Sequence, residues 1–188
     1  MELRDSQKLQ NQNTIALINK LGIPNTAKII LCIAPSYKGV EYFDELARRF
    51  RNNKEFFFIH IGSGGDESHD NYLHIDFVKE NADLVDYYSM ADLFVFTSLA
   101  DTMSNACLES LACGTPLLVF NISGMPYLLD STVGTLVEPG NVDQMETVVL
   151  KTEKKDDAII ARCRNYALKR YDSKEYGDKV IEIIKSIE

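Results

Sequence analysis

The stretch Ala91–Pro126, ADLFVFTSLADTMSNACLESLACGTPLLVFNISGMP, decides the fold, because it packs two apolar strands, a helix and three loops with special backbone needs into one short unit. Asp92–Ser98, DLFVFTS, and Pro116–Phe120, PLLVF, are brief apolar runs of strand length, which suit a sheet buried on both faces. Between them the pattern predicts one helix. Ser104 or Asn105 caps its start, Cys107, Leu108, Leu111 and Ala112 form its buried side, and Gly114 followed by Pro116 stops it. In a strand-helix-strand unit the right-handed crossover puts the loop Ser98–Ser104 at the carboxyl end of the first strand, where open parallel sheets take their ligands.

That loop carries Asp101. The helix start behind it offers unpaired N–H groups and the positive end of a dipole, a suitable place for a phosphate. Glu109 lies on the same helix, about 7 Å beyond Ser104 at roughly 1.5 Å per residue. One carboxylate therefore stands at the mouth of the site and a second about a sugar's length away.

The rest of the chain supplies the frame. At 188 residues and 45% hydrophobic content it is enough for one well-buried domain and too short for two of comfortable size. No segment approaches the roughly 18–20 unbroken apolar residues of a membrane span, and MELRDSQKLQ lacks the apolar core of a signal peptide, so a soluble cytoplasmic protein is expected. A net charge of −8 argues against nucleic-acid binding, which relies on a basic footprint. Any anion site must be local. Cys32, Cys107, Cys113 and Cys163 fall in predicted strands or helices without a Cys-x-x-Cys pair, and read as reduced, mostly buried thiols. His60, His69 and His74 lack helix-face ligand spacing, and no metal site is expected from them.

In chain order, Asp5–Leu21 reads as a polar covering helix with Leu17, Ile18 and Leu21 on one side, closed by Gly22 and Pro24. Lys28–Ala34 is the first buried strand, and the loop Pro35–Gly39 leads into the helix Val40–Arg51. Lys38 stands at the entrance of that helix, where position alone fits a phosphate-facing cation and a solvated surface lysine equally. Glu55–Ile61 is the second strand. Gly62-Ser63-Gly64-Gly65 after it reads first as a flexible turn and second as a place where backbone approaches a ligand. Tyr72–Val78 is a third strand, and the helix Ala82–Met90 sends Leu84, Tyr87 and Tyr88 into the core. After Pro126 come a helix Tyr127–Asp130, a strand Gly134–Val137 and a helix Gly140–Lys151 capped by Asn141. Two more helices follow, the last, Ser173–Ile187, carrying Tyr176, Val180, Ile183, Ile184 and Ile187 on one face. The basic stretch Lys151–Arg170 reads as a solvated helix face. This alternation predicts a doubly wound parallel α/β sheet, Rossmann-like, as a single domain over 1–188.

Asp101, seven intervening residues and Glu109, then Ser-Leu-Ala-Cys-Gly-Thr-Pro to Pro116, then Ser123-Gly124-Met125-Pro126 resemble the carboxyl-terminal half of a family 4 (group 1) glycosyltransferase of GT-B fold. The family signature is Glu-x7-Glu, Ala-Met-Ala-Cys-Gly-Thr-Pro and a Gly-Gly-x-Pro-like loop. The resemblance runs from Leu21-Gly22-Ile23-Pro24 to the last helix. It implies a donor-binding domain that takes a nucleotide sugar, its partner being an amino-terminal acceptor-binding domain absent from this chain. The implied reaction moves a hexose from a nucleoside diphosphate to a saccharide or lipid-linked glycan with retention, using no metal and no cofactor, as in polysaccharide biosynthesis. Peripheral membrane contact of the full enzyme is compatible with it.

Residue by residue, the resemblance gives Asp101 the transferred sugar and Glu109 the ribose hydroxyls. Lys38 and the amides of Met103, Ser104 and Asn105 take the diphosphate. It puts Ser123 and Gly124 in a loop that approaches the sugar, makes Gly62 donor-binding, and sets Phe77 and Val78 beside the nucleobase. Three departures stand out: Asp101 is one methylene shorter than the usual Glu, Ser123 replaces a Gly, and Pro35-Ser36-Tyr37 lacks the Arg that usually shares the diphosphate with the lysine. Loss of that cation removes part of the preorganised charge at the leaving group, which leaves open a catalytically silent binding or interaction module. A dehydrogenase cofactor domain is disfavoured, because the loop after Lys28–Ala34 lacks Gly-x-Gly-x-x-Gly.

Overall fold

Strand β1 (Lys28–Ile33) lies near the middle of the sheet, with Ile29, Ile30, Leu31 and Cys32 fully buried. A computed structural model describes residues 3–66 and 68–171. Around β1 are β2 (Phe56–Ile61), β3 (Tyr72–Ile75), β4 (Leu93–Phe96), β5 (Leu117–Phe120) and β6 (Gly134–Val137), in the spatial order β3-β2-β1-β4-β5-β6. Every pairing is parallel. The near-continuous apolar runs of β2, β4 and β5 are buried along their whole length, as helices on both faces of a parallel sheet require.

The helices are α1 (Leu3–Lys20), α2 (Val40–Arg49), α3 (Asn81–Met90), α4 (Asn105–Ala112), the single turn α5 (Met125–Leu128), α6 (Val142–Lys151) and α7 (Asp157–Tyr171). Helix α2 packs with α6, while α1 meets α3, α3 meets α4 and α4 meets α7. Leu17, Ile18 and Leu21 close over the core from α1 and its end. No helix among the described residues is long and apolar enough to cross a membrane. The expected last helix, Ser173–Ile187, lies outside the described residues.

Elements differ from the apolar runs mainly at their ends, and side chains explain the differences. The run Asp92–Ser98 shortens to Leu93–Phe96 because the Asp92 carboxylate turns inward. It accepts the N–H of Ile29 at 2.8 Å and that of Lys155 at 2.7 Å, so it staples the strand's start instead of extending it. The run Tyr72–Val78 ends at Ile75, which frees Asp76, Phe77 and Val78 for the carboxyl edge. Helix α2 stops at Arg49 because Phe50 drops into the core, its ring 4.9 Å from Phe56 and 5.4 Å from Phe58. Pro126, fit for a first helical turn, opens α5 at Met125 rather than Tyr127. Asn141 caps α6 by accepting the N–H of Gln144 at 3.0 Å.

The basic stretch is not wholly a solvated face. Lys155 Nζ donates to Ser89 O at 2.8 Å and to Thr115 Oγ1 at 2.6 Å, and Thr115 in turn donates to Tyr88 O at 2.6 Å. Gly114, at φ +86°, is backed by Ile160 of α7, which a side chain there would strike. The Cys-Gly-Thr-Pro turn is thus a joint at the amino edge, tying α3, β5 and α7 together.

Burial pushes all four thiols above the ordinary 9.0, Cys163 to about 11 and Cys107 to about 12. For a raised group, stability is present below the unfolded value and lost as pH climbs through the folded one. Lys155 acts oppositely: desolvation lowers it to about 8 from 10.5, so its contribution improves across that interval. Four thiols, joined from about pH 10 by the hydroxyls of Tyr72, Tyr87, Tyr88, Tyr166 and Tyr171, which burial also pushes up, oppose one amine. Unfolding free energy measured by denaturant titration should therefore fall between about pH 9 and pH 11, with a shallower fall in Cys107→Ala. A flat or rising profile over that range contradicts control by these buried groups, and an unaltered slope in Cys107→Ala contradicts the part given to that thiol.

Candidate functional site

The strand order reverses direction between β1 and β4, and the loops that leave their carboxyl ends part there to form a crevice. The β1 loop makes a 3-10 turn, Ser36–Lys38, then enters α2 through Gly39 at φ +75°. A Cβ on Gly39 would run into the carbonyl oxygen of Thr97, so only glycine lets this loop lie flat on the end of β4. Thr97 Oγ1 donates to Lys38 O at 3.4 Å and fastens the contact.

These constraints bring Lys38 and Asp101 together. Lys38 Nζ donates to Asp101 Oδ2 at 2.5 Å, with the two side chains 25% and 14% exposed. The ammonium also lies 5.9 Å from the ring centroid of Tyr37 and 5.9 Å from that of the buried Phe96. On the far side of Asp101, Gly124 N–H donates to Asp101 O at 3.3 Å. Any side chain on Gly124 would strike Thr102 O. Its neighbour Ser123 has φ +53°, the only non-glycine residue at positive φ among the described residues, where the family pattern has glycine.

Helix α4 starts next to this pair. Ser104 takes the N-cap position with its backbone alone, since its hydroxyl sits against the Cys107 thiol and makes no cap bond. The expected side-chain cap is therefore missing, and no cap bond from Ser104 competes for the first-turn amides. Met103 and Asn105 are exposed beside them.

Glu109 stands apart from the ion pair. It is exposed, and its Oε2 accepts the hydroxyl of the buried Tyr88 at 2.9 Å. Burial, the Glu109 charge and this bond all push the Tyr88 hydroxyl up, so it stays a donor. Glu109 borders a hollow of about 280 Å³ with Leu84, Val85 and Tyr88 between α3 and α4. Phe77 is 76% exposed and Val78 half-buried at the end of the β3 run. Gly62 is held differently: a side chain there would meet Ala34 O, so glycine lets the β2 loop close on the β1 loop.

A pair of rings, His60 and His74, braces that closure, a role their spacing in the sequence does not indicate. His60 Nε2 lies 2.9 Å from Ala34 O, His74 Nε2 lies 2.8 Å from Gly62 O, and the two rings stack at 5.0 Å and 9°. Desolvation lowers the pKa of His60 and keeps it neutral. The one available signal was its place inside the apolar run EFFFIHI. No cluster of His, Cys, Asp and Glu among the described residues is placed to hold a metal ion. What the crevice offers is one ammonium, one carboxylate and a set of helix-start amides, a combination suited to a ligand bearing both phosphate charge and hydroxyls.

Residues 27–154 match the family described as "Glycosyl transferases group 1". A D-inositol 3-phosphate glycosyltransferase of Saccharomonospora viridis is 27% identical over 108 residues, which is 55% of this chain and 25% of the relative. Among solved structures, Anabaena Alr3699/HepE in complex with UDP-glucose superposes with a TM-score of 0.74 at 17% identity, covering 93% of this chain and 53% of that one. Sucrose-phosphate synthase from Thermosynechococcus elongatus gives 0.72 at 14% identity, covering 90% and 48%. The chain thus spans a quarter of the curated relative and about half of these structures.

The loop geometry makes a paired prediction. A left-handed serine costs about 1–2 kcal/mol, against roughly 0.5–1 kcal/mol of extra chain entropy for glycine. Ser123→Gly should gain about 0.5 kcal/mol and raise the thermal midpoint by about 1–2 °C. Gly124→Ala should lower the midpoint by more than that gain, because its methyl meets a backbone carbonyl. A drop in midpoint for Ser123→Gly contradicts the strain argument.

Proposed function

The chain belongs to the glycosyl transferases group 1 family, and from that premise we propose that it is the nucleotide-sugar-binding, carboxyl-terminal half of a family 4 enzyme of GT-B fold. The observation that carries this reading is the Lys38–Asp101 pair beside the start of α4, at the crevice where the sheet changes direction. A cation and helix-start amides suit a diphosphate, and an adjacent carboxylate suits sugar hydroxyls. The UDP-glucose bound by the Anabaena protein supports a nucleoside-diphosphate sugar as the ligand class.

In this reading Lys38 and the amides of Met103, Ser104 and Asn105 bind the diphosphate, and Asp101 orients the hexose. Glu109, its carboxylate steadied by Tyr88, takes the ribose, and Phe77 and Val78 border the base. The loop Ser123-Gly124 closes on the sugar and Gly62 shapes the floor. Transfer breaks the bond between the anomeric carbon and the diphosphate and forms one to an acceptor hydroxyl oxygen, whose proton passes to the departing diphosphate, while the fixed positive charge stabilises the leaving oxygen. The acceptor, a saccharide or lipid-linked glycan, sits on an amino-terminal domain outside this chain. Retention of configuration, independence of metal and cofactor, a cytoplasmic location and peripheral membrane contact of the full enzyme complete the proposal.

A second reading, a catalytically silent binding module, is favoured by one observation: Asp101 neutralises Lys38, and the turn Ser36–Lys38 supplies no second cation.

Thermal melts with excess UDP, GDP, ADP and dTDP test the donor site, each repeated on Glu109→Ala. A ligand at about 100 times its Kd adds roughly 2.7 kcal/mol, or about 5–10 °C in a domain of this size. One nucleotide should give such a shift, and Glu109→Ala should remove most of it. A folded chain that responds to none of the four favours the silent module.

A further inference from the structure

The ion pair at the crevice is more than a pair of ligand-binding groups, because each partner is already bound to the other. Lys38 Nζ and Asp101 Oδ2 are 2.5 Å apart, and among the described residues Lys38 is the one ion-pair partner of Asp101. Both backbones are pinned, Lys38 by Thr97 and Gly39, Asp101 by Gly124. The Phe96 and Tyr37 rings flank the ammonium, each centroid 5.9 Å away. Any exchange of partners is therefore a matter of side-chain rotation, with the loops staying where they are.

We propose that Asp101 acts as a resident counter-ion of Lys38 that selects the sugar-bearing nucleotide over the bare nucleoside diphosphate. This rests on the donor-site reading above. An entering diphosphate takes Lys38 and leaves the Asp101 carboxylate, only 14% exposed, without its cation and close to new negative charge. A bare diphosphate gives that carboxylate nothing in return. An attached hexose does, because its hydroxyls donate to the vacated oxygen, so one charge-assisted hydrogen bond replaces another. When the hexose is transferred the hydroxyls leave with it, Asp101 recaptures Lys38, and the spent diphosphate loses its cation. The pair thus weakens product binding relative to donor binding.

Calorimetric titration of the 188-residue chain and of Asp101→Asn with UDP and UDP-glucose tests this, GDP, ADP and dTDP with their glucose conjugates being run in parallel. Asp101→Ser is carried beside Asp101→Asn, so that a folding defect in one variant, seen by circular dichroism, does not decide the result. The expected result is that both variants bind the bare diphosphate about three- to tenfold more tightly than the native chain, while the preference for the sugar-bearing form shrinks by at least that factor. Unchanged or weaker binding of the bare diphosphate by the folded variants overturns the counter-ion role and leaves the donor site standing. Absence of binding by the native chain and variants alike overturns both.

Discussion

The parallel pairing of β1 with β4, Ile30 beside Leu93 and Leu31 beside Phe94, is the contact on which the carboxyl edge depends. From β1 the sheet grows toward β2 and β3, and from β4 it grows the other way toward β5 and β6. Right-handed crossovers then send α2 and α4 to opposite faces, so the loops above β1 and β4 separate while their strands stay bonded. The crevice follows from handedness and strand order. Lys38 and Asp101, 63 residues apart in sequence, meet there because the hydrogen bonds of two neighbouring strands hold their loops in register.

Close backbone approach sets the positions of the loops around the crevice. Gly39 on Thr97, Gly62 on Ala34 and Gly124 on Thr102 are three contacts in which one loop rests directly on the carbonyl of another, and a Cβ at any of them would lift the loop away. Ser123 shows the limit of that tolerance, for it has the left-handed backbone without the residue that suits it. The strain sits beside Asp101, in the loop proposed to meet the sugar, and is held there by the Gly124 bond to the Asp101 carbonyl.

The amino edge is held by a different device. Asp92, Thr115 and Lys155 are polar groups inside or against the core, and each is tied to backbone atoms of neighbouring elements. An unpaired buried carboxylate or ammonium is costly, whereas a fully bonded one specifies which ends meet. The family motif accordingly divides in two: its Asp101 and Glu109 face ligands in the proposed function, while its Cys-Gly-Thr-Pro turn anchors α7 and α3 to the sheet.

Much of this was legible in the residues. Apolar runs such as FFFI, LFVF and LLVF determine buried parallel strands, because only a sheet covered on both faces hides such surface, and the cap at Ser104 or Asn105, the apolar spacing of Cys107, Leu108, Leu111 and Ala112 and the stop at Gly114 and Pro116 determine one short helix between two of them. Strand ends, the inward turn of Asp92, the bracing of His60 on His74, the Tyr88 bond to Glu109 and the anchoring of the half-buried Lys155 were not legible. Each depends on a partner far away in the chain, and hydropathy records only local preference. For the same reason the sequence by itself placed Lys38 and Asp101 on two loops of one edge, and only the tertiary structure decided that they neutralise each other, since the distance between two side chains is set by strand order and loop contact.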